Sequence, residues 1–403
     1  MVLATKQLVR QMGKGKIFTS LLLILTMLTS LSFFFVIFGI DGNMSWLNSL
    51  DVLTENQELY RTALKANTNL AYMFLFSTIG LTAFVFVMFF YRFFRANKRQ
   101  IGCLRSLGFR DSFLRLCLVI FVIGLSVIGV IFGLIGGYFL SDVLISGNMH
   151  NYQVVGLVKE VSLQSLIMGL VVPVLIFSVT AFFSYSFVKG KEPGALIAGS
   201  INQTDFGLAL RVANAISGVI PAKNKFPYRI ALQKPLAVIL ILAAVMTLSV
   251  FVILGASINL LEGFDVNNLS ATINHVTGVI IGALLIFLAL YINFDDNTRD
   301  MLILHMMGHK AKSIRKLLVD VYMPIVWATF VITLAPSIML AGFIKSGIAI
   351  AVNKPMPFST NPLVILALFL LINLIYWFVQ SLFGMGIKRI IAKEDMMEFV
   401  YAE

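Results

Sequence analysis

The sequence predicts an all-α polytopic membrane protein with eight transmembrane helices, arranged as two parallel repeats of four helices. Three observations lead to this fold class. The 403 residues are 59% hydrophobic and only 12% charged, whereas soluble domains carry about 25% charged residues. Eight uncharged apolar runs are long enough to cross a bilayer. A charged segment that follows the second run recurs 200 residues later.

The eight predicted spans are apolar runs with the length that the hydrocarbon core of a bilayer requires. The first run is longer than a signal peptide's apolar region and no small-residue cleavage site follows it, so we interpret it as a retained span. The predicted spans cover about residues 17–40, 69–91, 116–141, 163–188, 236–258, 275–293, 321–344 and 362–386.

The distribution of Lys and Arg predicts that both termini are cytoplasmic. With the N-terminus inside, cytoplasmic segments hold 26 of the 31 basic residues and the outer loops hold 5. Such an excess is the positive-inside pattern of membrane proteins. The net charge of +12 is therefore explained by topology, and we expect no nucleic-acid partner.

The charged segment after the second span recurs at one offset without a gap. Because each repeat contains an even number of spans, the two copies share one orientation, related by an axis along the membrane normal. The identical pairs are Tyr91/Tyr291, Phe94/Phe294, Asn97/Asn297, Arg99/Arg299, Leu104/Leu304, Gly108/Gly308 and Arg115/Arg315. The predicted domains are residues 1–190 with a cytoplasmic loop at about 92–115, a linker at 191–227 with a candidate interfacial helix, and residues 228–403 with a loop at about 294–318.

The sequence lacks the residue patterns that several other functional classes require. No charged residue falls in the middle of a predicted span, which argues against a proton- or ion-coupled transporter. No Gly-x4-Gly-Lys-Ser/Thr phosphate-binding loop is present, so we do not expect this chain to be an enzyme or to hydrolyse ATP. His305 and His309 lack the further ligands of a metal site. Cys103 and Cys117, predicted on the cytoplasmic side, are expected to be reduced and buried.

Polar and small residues inside the spans are expected to serve helix packing. Asn293, Asn373 and Gln380 are predicted interhelical hydrogen-bonding groups, with a substrate site as the alternative. Proline is expected to bend spans four and seven, at Pro173, Pro324 and Pro336. Small residues four apart let helices approach closely, and either bundle packing or a dimer face would use Gly129, Gly133, Gly136 and Gly137.

The first loop, Arg99-Gln-Ile-Gly-Cys-Leu-Arg-Ser-Leu-Gly108, resembles the signature of the FtsX/MacB-like permeases, which are membrane subunits of certain ABC transporters. Residues 298–308 are similar to a weaker second copy. Residues 191–196 resemble the Pro-x3-Leu tail after the family's fourth helix, and residues 6–16 resemble its elbow helix. The family's Glu is Gln100 here and Asp300 in the second copy, and no large extracellular domain is present.

The resemblance implies a permease subunit that works with an ABC ATPase, which would act as a dimer and bind ATP and Mg; this chain itself would bind no cofactor. Membrane lipids are expected partners, and a second permease or a second copy of this chain stays open. The cargo would be a peptide or lipid-like amphiphile, exported or extracted, as in antimicrobial-peptide immunity. The location would be a bacterial plasma membrane.

The resemblance also implies which residues would couple the chain to the ATPase. Apolar residues in the first loop recur at helical spacing, and its arginines offer charge to a partner; alternatively, the basic residues only fix orientation and bind anionic headgroups. A mechanotransmitting scaffold without cargo and a secondary transporter remain alternative functions. The coupling residues are Arg99, Ile101, Leu104, Arg105, Leu107, Gly108 and Arg110 in the first loop, and Arg299, Leu304, His305, Gly308 and His309 in the second.

Overall fold

A computed structural model describes residues 16–190, 192–197, 235–262, 269–352, 358 and 360–391. The regular elements within these ranges are all helices. Two compact units divide the chain. The predicted elbow at residues 6–16, apart from residue 16, lies outside the described residues, as does the predicted linker apart from residues 192–197.

Among its described residues, the first unit contains seven helices between Lys16 and Ile197. A 3-10 turn at Tyr185–Phe187 follows the sixth helix. The helices are α1 (Lys16–Ile37), α2 (Asp41–Asn48), α3 (Glu55–Ala96), α4 (Lys98–Ser106), α5 (Asp111–Tyr152), α6 (Leu163–Ser184) and α7 (Pro193–Ile197).

The helices from Pro235 onward repeat this order, with one interruption. A 3-10 turn at Asp320–Tyr322 separates two helices where the first unit has the single helix α5. The helices are α8 (Pro235–Glu262), α9 (Leu269–Asp296), α10 (Thr298–Met306), α11 (Ala311–Leu318), α12 (Met323–Val352) and α13 (Pro362–Ile391).

Among the residues that the structure describes, seven helical segments are long and apolar enough to cross a membrane, which confirms an all-α polytopic membrane protein. The predicted span at 275–293 falls in α9, whose apolar part, Gly278–Phe294, is shorter than the other seven. A count of eight spans and cytoplasmic termini therefore stay predictions. Lys345, which the sequence assigned to an outer loop, lies within α12 and is buried.

Two helices of the first unit are much longer than a bilayer is thick. Helices α3 and α5 each have 42 residues, which at 1.5 Å per residue is about 63 Å, against a hydrocarbon core of about 30 Å. Thr54 and Gln57 form a capping box at the start of α3, so this helix begins well before its apolar run.

These extensions build a small folded region that we call the outer cap: α2, residues 55–68 of α3, and residues 142–162. Its core contains Ile40, Leu47, Tyr60, Leu64 and Val154. The buried Asn43 amide donates to the Val158 carbonyl at 3.0 Å and accepts from the Val158 N–H at 2.8 Å. The sequence predicted only short outer loops, because a window suited to membrane spans does not detect such short packed segments.

Helix α1 packs against a row of glycines on α5. A Cβ at Gly133 would lie 2.6 Å from the Met27 carbonyl oxygen, and one at Gly137 would lie 2.6 Å from the Phe34 Cβ. Gly129 and Gly136 face the same helix, at Thr26 and Leu31. The four glycines are thus covered by α1 within the first unit, which leaves them unavailable as a dimer face.

The second unit keeps small residues where the first has these glycines. Thr329, Thr333 and Ser337 stand 200 residues after Gly129, Gly133 and Gly137, and all three are buried. Thr333 donates its hydroxyl to the carbonyl of Thr329 at 2.8 Å. Back-bonding of this kind lets a hydroxyl sit inside an apolar bundle without a partner on another helix.

Candidate coupling site

The two cytoplasmic loops predicted from the sequence have the same backbone. Helices α4 and α10 are each followed, two residues after their last residue, by a glycine with positive φ, 87° at Gly108 and 90° at Gly308. The N–H of Phe109 donates to the Leu104 carbonyl at 3.2 Å, and the N–H of His309 donates to the Leu304 carbonyl at 3.0 Å. These are the bonds of a Schellman motif, in which glycine adopts the left-handed conformation at least cost.

The two loops also begin alike. The side-chain amides of Asn97 and Asn297 donate to the carbonyls four residues earlier, of Phe93 at 3.0 Å and Asn293 at 2.8 Å. Both asparagines leave the helical region with φ near −109°. Each asparagine therefore ends one long helix and starts the short one, so the loops correspond residue by residue at the 200-residue offset.

Each loop presents an apolar side chain at its tip. Leu107 is 75% exposed and Met307 is 72% exposed, and a Cβ at either following glycine would meet nothing within 4 Å. The basic residues Arg110 and Lys310 lie two positions after these glycines and are exposed. We call Leu107 and Met307 the coupling tips.

Two predicted coupling residues of the first loop point away from its exposed surface. Ile101 is buried. Arg105 was expected to offer its charge to a partner, but its guanidinium pairs within the chain: Nε lies 3.1 Å from Asp111 Oδ1, and Nη1 donates to the Val188 carbonyl at 3.4 Å. Arg99 is exposed, and Leu104 is half-buried.

The partners of Arg105 were not singled out from the sequence. Asp111 is the first residue of α5, and its Oδ1 also accepts the Tyr185 hydroxyl at 2.8 Å. The three side chains join the first loop to the start of α5 and the end of α6. The only sequence signal for this network is an acid six residues after an arginine at the start of an apolar run.

The second loop is built differently at the same place. His305 replaces Arg105, and its Nδ1 lies 3.1 Å from the His309 carbonyl oxygen, which makes this histidine part of the turn. The exposed His309 offers its backbone carbonyl to this contact. Arg299 begins the first turn of α10, but its side chain lies outside the described residues.

The helix break between α11 and α12 carries a second polar network. Asn293 donates to the Leu318 carbonyl at 2.7 Å, and the Tyr376 hydroxyl donates to the Val319 carbonyl at 2.6 Å. The break leaves these carbonyls without the N–H four residues later that an α-helix would supply, and the Val319 carbonyl also accepts the Tyr322 N–H at 3.1 Å. Pro324 lacks the N–H that would bond the Asp320 carbonyl, which accounts for a break at the bend predicted there.

Asp320 accepts two further hydrogen bonds at the same helix break. Its Oδ1 accepts Gln380 Nε2 at 2.6 Å and Arg315 Nε at 3.2 Å. Asn373 accepts the indole N–H of Trp327 at 2.8 Å. Asn293, Gln380 and Asn373 are therefore interhelical hydrogen-bonding groups, as predicted.

The cysteines and acidic groups do not assemble a metal site in the part of the chain that the structure describes. Cys117 is buried, as expected. Cys103, in α4, is exposed, so the prediction that both cysteines are buried is wrong for this residue.

Long apolar helices in two repeats, each with a short helix and turn of the same conformation, define a duplicated multi-pass membrane protein. Comparison with protein families identifies the class further: the FtsX-like permease C-terminal family matches residues 72–193 and 275–390, more than half of the chain. The chain therefore belongs to the FtsX-like permease family. No curated protein and no solved structure gave a significant match.

Membership in this family makes the chain a membrane transport component, a permease subunit of the ABC-transporter type, and members of the family are not typically catalytic enzymes. Permeases of this family typically work with an ABC ATPase. Each matched segment includes one of the two loops with its coupling tip.

Proposed function

We propose that this chain receives work from a separate ABC ATPase through its two coupling tips. The proposal rests mainly on the tips themselves: in both loops a large apolar side chain is held out by a Schellman turn, at the same position and with nearly the same exposure. Burying one such side chain against a partner contributes about 1.5–3 kcal/mol. Two equivalent tips suit the two equivalent surfaces of an ATPase dimer.

The charges beside the tips support a protein partner with acidic edges. Arg110, Lys310 and Lys312 are exposed. By contrast, Arg105 and Arg315 have acidic partners within the chain. Positive residues around an apolar anchor would steer an acidic surface to it and fix its register. ATP and Mg would be bound by the ATPase, because this chain has no phosphate-binding loop of its own.

For the cargo, we propose a peptide or a lipid-like amphiphile that is exported or extracted from the membrane. The surfaces of α5 and α6 that face away from the first unit's core are apolar along most of their length, with Ile131, Phe139, Leu175 and Phe183 among the exposed residues. An amphiphile can reach such surfaces from the bilayer, whereas a soluble ion would require polar groups along its path.

A mechanotransmitting role is the second candidate, and the outer cap supports it. Asp41 accepts bonds from the N–H and the hydroxyl of Ser162, at 2.9 and 2.7 Å. Together with Asn43, this fixes the loop before α6 to the helix that follows α1. A movement of the spans would therefore displace a folded surface outside the membrane, where another protein could sense it.

The test is reconstitution of the full chain with the ABC ATPase that co-purifies with it in mild detergent. For transport, a cationic amphiphilic peptide added to proteoliposomes should raise ATP hydrolysis and change its own distribution across the bilayer. Raised hydrolysis without peptide redistribution would favour mechanotransmission. If no ABC ATPase co-purifies, the proposal is wrong in either form.

A further inference from the structure

The short helix α7 packs directly against α4, the helix of the first coupling loop, at Gly102. A Cβ on this glycine would lie 2.9 Å from both Leu196 Cβ and Ile197 Cγ1, and 3.1 Å from the Ile197 backbone nitrogen. Leu196 is fully buried. Gly102 is thus required because two helices touch there, and not because of an unusual backbone conformation.

The chain between α6 and α7 contacts α4 at a second point. The Val188 carbonyl accepts from Arg105 at 3.4 Å, and Arg105 lies one helical turn after Gly102. Tyr185, three residues before Val188, is bonded to Asp111. Residues 185–190 together with Leu196 and Ile197 therefore hold α4 at its middle and near its end; we call these residues the clamp.

The second repeat has different residues at the two positions where α4 contacts the clamp. Leu302 stands at the position of Gly102 and is buried, so a leucine side chain fills the space that a backbone would need to enter. His305 stands at the position of Arg105 and bonds within its own turn. Helices α4 and α10 thus have the same backbone conformation but differ in the side-chain contacts that hold them in place.

We infer that Gly102 and Leu196 are positioning residues for coupling: the clamp fixes the angle of α4, and so of Leu107, relative to α5 and α6. This inference rests on the proposed function, since it assigns to the clamp the transmission of ATPase movement. The first loop then acts as a rigid lever joined to two spans.

The test compares two glycine-to-alanine variants of the full chain in complex with its ATPase. A Cβ at Gly102 meets α7, whereas a Cβ at Gly194, within α7 itself, meets nothing within 4 Å. Overpacking by one methyl group at a site of this kind typically changes an equilibrium by about fivefold or more. We expect Gly102→Ala to lower stimulated ATP hydrolysis by about that factor while the amount of bound ATPase stays within about twofold.

The matched variant Gly194→Ala should leave both quantities unchanged. Equal stimulation in Gly102→Ala and the wild type would overturn the inference. So would a parallel loss of binding and stimulation in Gly102→Ala, because the clamp would then serve assembly alone.

A disulfide provides a second measurement, which compares the oxidised and reduced forms of one variant, so that the added Cβ at residue 102 is present in both forms. The variant carries Gly102→Cys and Leu196→Cys together with Cys103→Ser and Cys117→Ala. The two Cβ positions are close enough for a bond after a small shift. Oxidation should form the disulfide and leave stimulated hydrolysis within about twofold of the reduced protein. If α4 and α7 stay in contact throughout the ATPase cycle, a covalent bond between them does not change the coupling.

Failure to form the disulfide, or loss of stimulation that reductant restores, would contradict a permanently closed clamp. Disulfide formation is measured on the isolated chain as well. It therefore tests the clamp even if no ATPase associates, an outcome that would refute only the proposed function.

Discussion

Asp111→Ala is expected to destabilise the protein by about 2 kcal/mol. The substitution removes the acceptor of the Tyr185 hydroxyl and the counter-charge of Arg105. Breaking a fully buried ion pair costs about 3–5 kcal/mol, but the Asp111 side chain is 32% exposed and that of Arg105 is 15% exposed. Solvent screening reduces the cost to the range of a hydrogen bond to a charged group, about 1.5–3 kcal/mol.

Asp142→Ala is the matched control. Its carboxylate lies 2.7 Å from Lys159 Nζ, closer than Asp111 lies to Arg105, but the Asp142 side chain is 65% exposed. Exposed ion pairs contribute about 0–1 kcal/mol. The shorter ion pair should therefore cost less to break, because burial and not distance decides the energy.

The assay is thermal unfolding in mild detergent, where 1 kcal/mol corresponds to roughly 1 °C for a chain of this length. We expect a decrease of about 2 °C for Asp111→Ala and under about 1 °C for Asp142→Ala. In a double-mutant cycle with Arg105→Ala, the coupling energy should exceed about 0.5 kcal/mol. Equal shifts for the two aspartates, or additive effects in the cycle, would refute this account of the network.

Three further substitutions test the packing and the polar networks. Gly133→Leu should abolish a monodisperse protein in size-exclusion chromatography because its side chain meets α1, whereas Gly80→Leu, where a Cβ meets nothing within 4 Å, should leave the profile unchanged. Asn293→Ala should cost about 1–3 kcal/mol in thermal unfolding because it removes the donor to the buried Leu318 carbonyl. Asn43→Ala should cost a similar amount and make residues 154–160 the first site of proteolysis; protection equal to the wild type would contradict the role given to Asn43 in the outer cap.

The fold class and the duplication could be predicted from the sequence because both depend on long-range regularities. Apolar runs reveal spans, and a constant offset of 200 residues reveals a repeat. Gly108 and Gly308 belong to the repeated motif, and the structure shows both in the left-handed conformation after a helix, where glycine is favoured. Seven of the eight predicted spans meet the length and composition of a membrane helix.

What could not be predicted depends on contacts between residues far apart in the sequence. The outer cap arises from packing of Leu47, Tyr60 and Val154, which no single window contains. Arg105 was expected to be available to a partner protein, but its guanidinium bonds to Asp111 and to the carbonyl of Val188, which is 83 residues away. Gly102 was part of a recognised motif, but only the position of Leu196 shows why a glycine is needed there.

The most direct measurement of the central claim is the amount of ABC ATPase that co-purifies with tip variants of the full chain. Each tip should contribute about 1.5–3 kcal/mol when buried. The double variant Leu107→Glu with Met307→Glu should therefore bind the ATPase more than about a hundredfold more weakly.

Leu163→Glu is the control for these variants, because Leu163 is also 75% exposed but lies at the start of α6, away from the loops. The account predicts that this control retains the ATPase at the wild-type amount while the double tip variant loses it. Retention of the ATPase by the double tip variant would contradict the claim that Leu107 and Met307 couple this permease to its energy source.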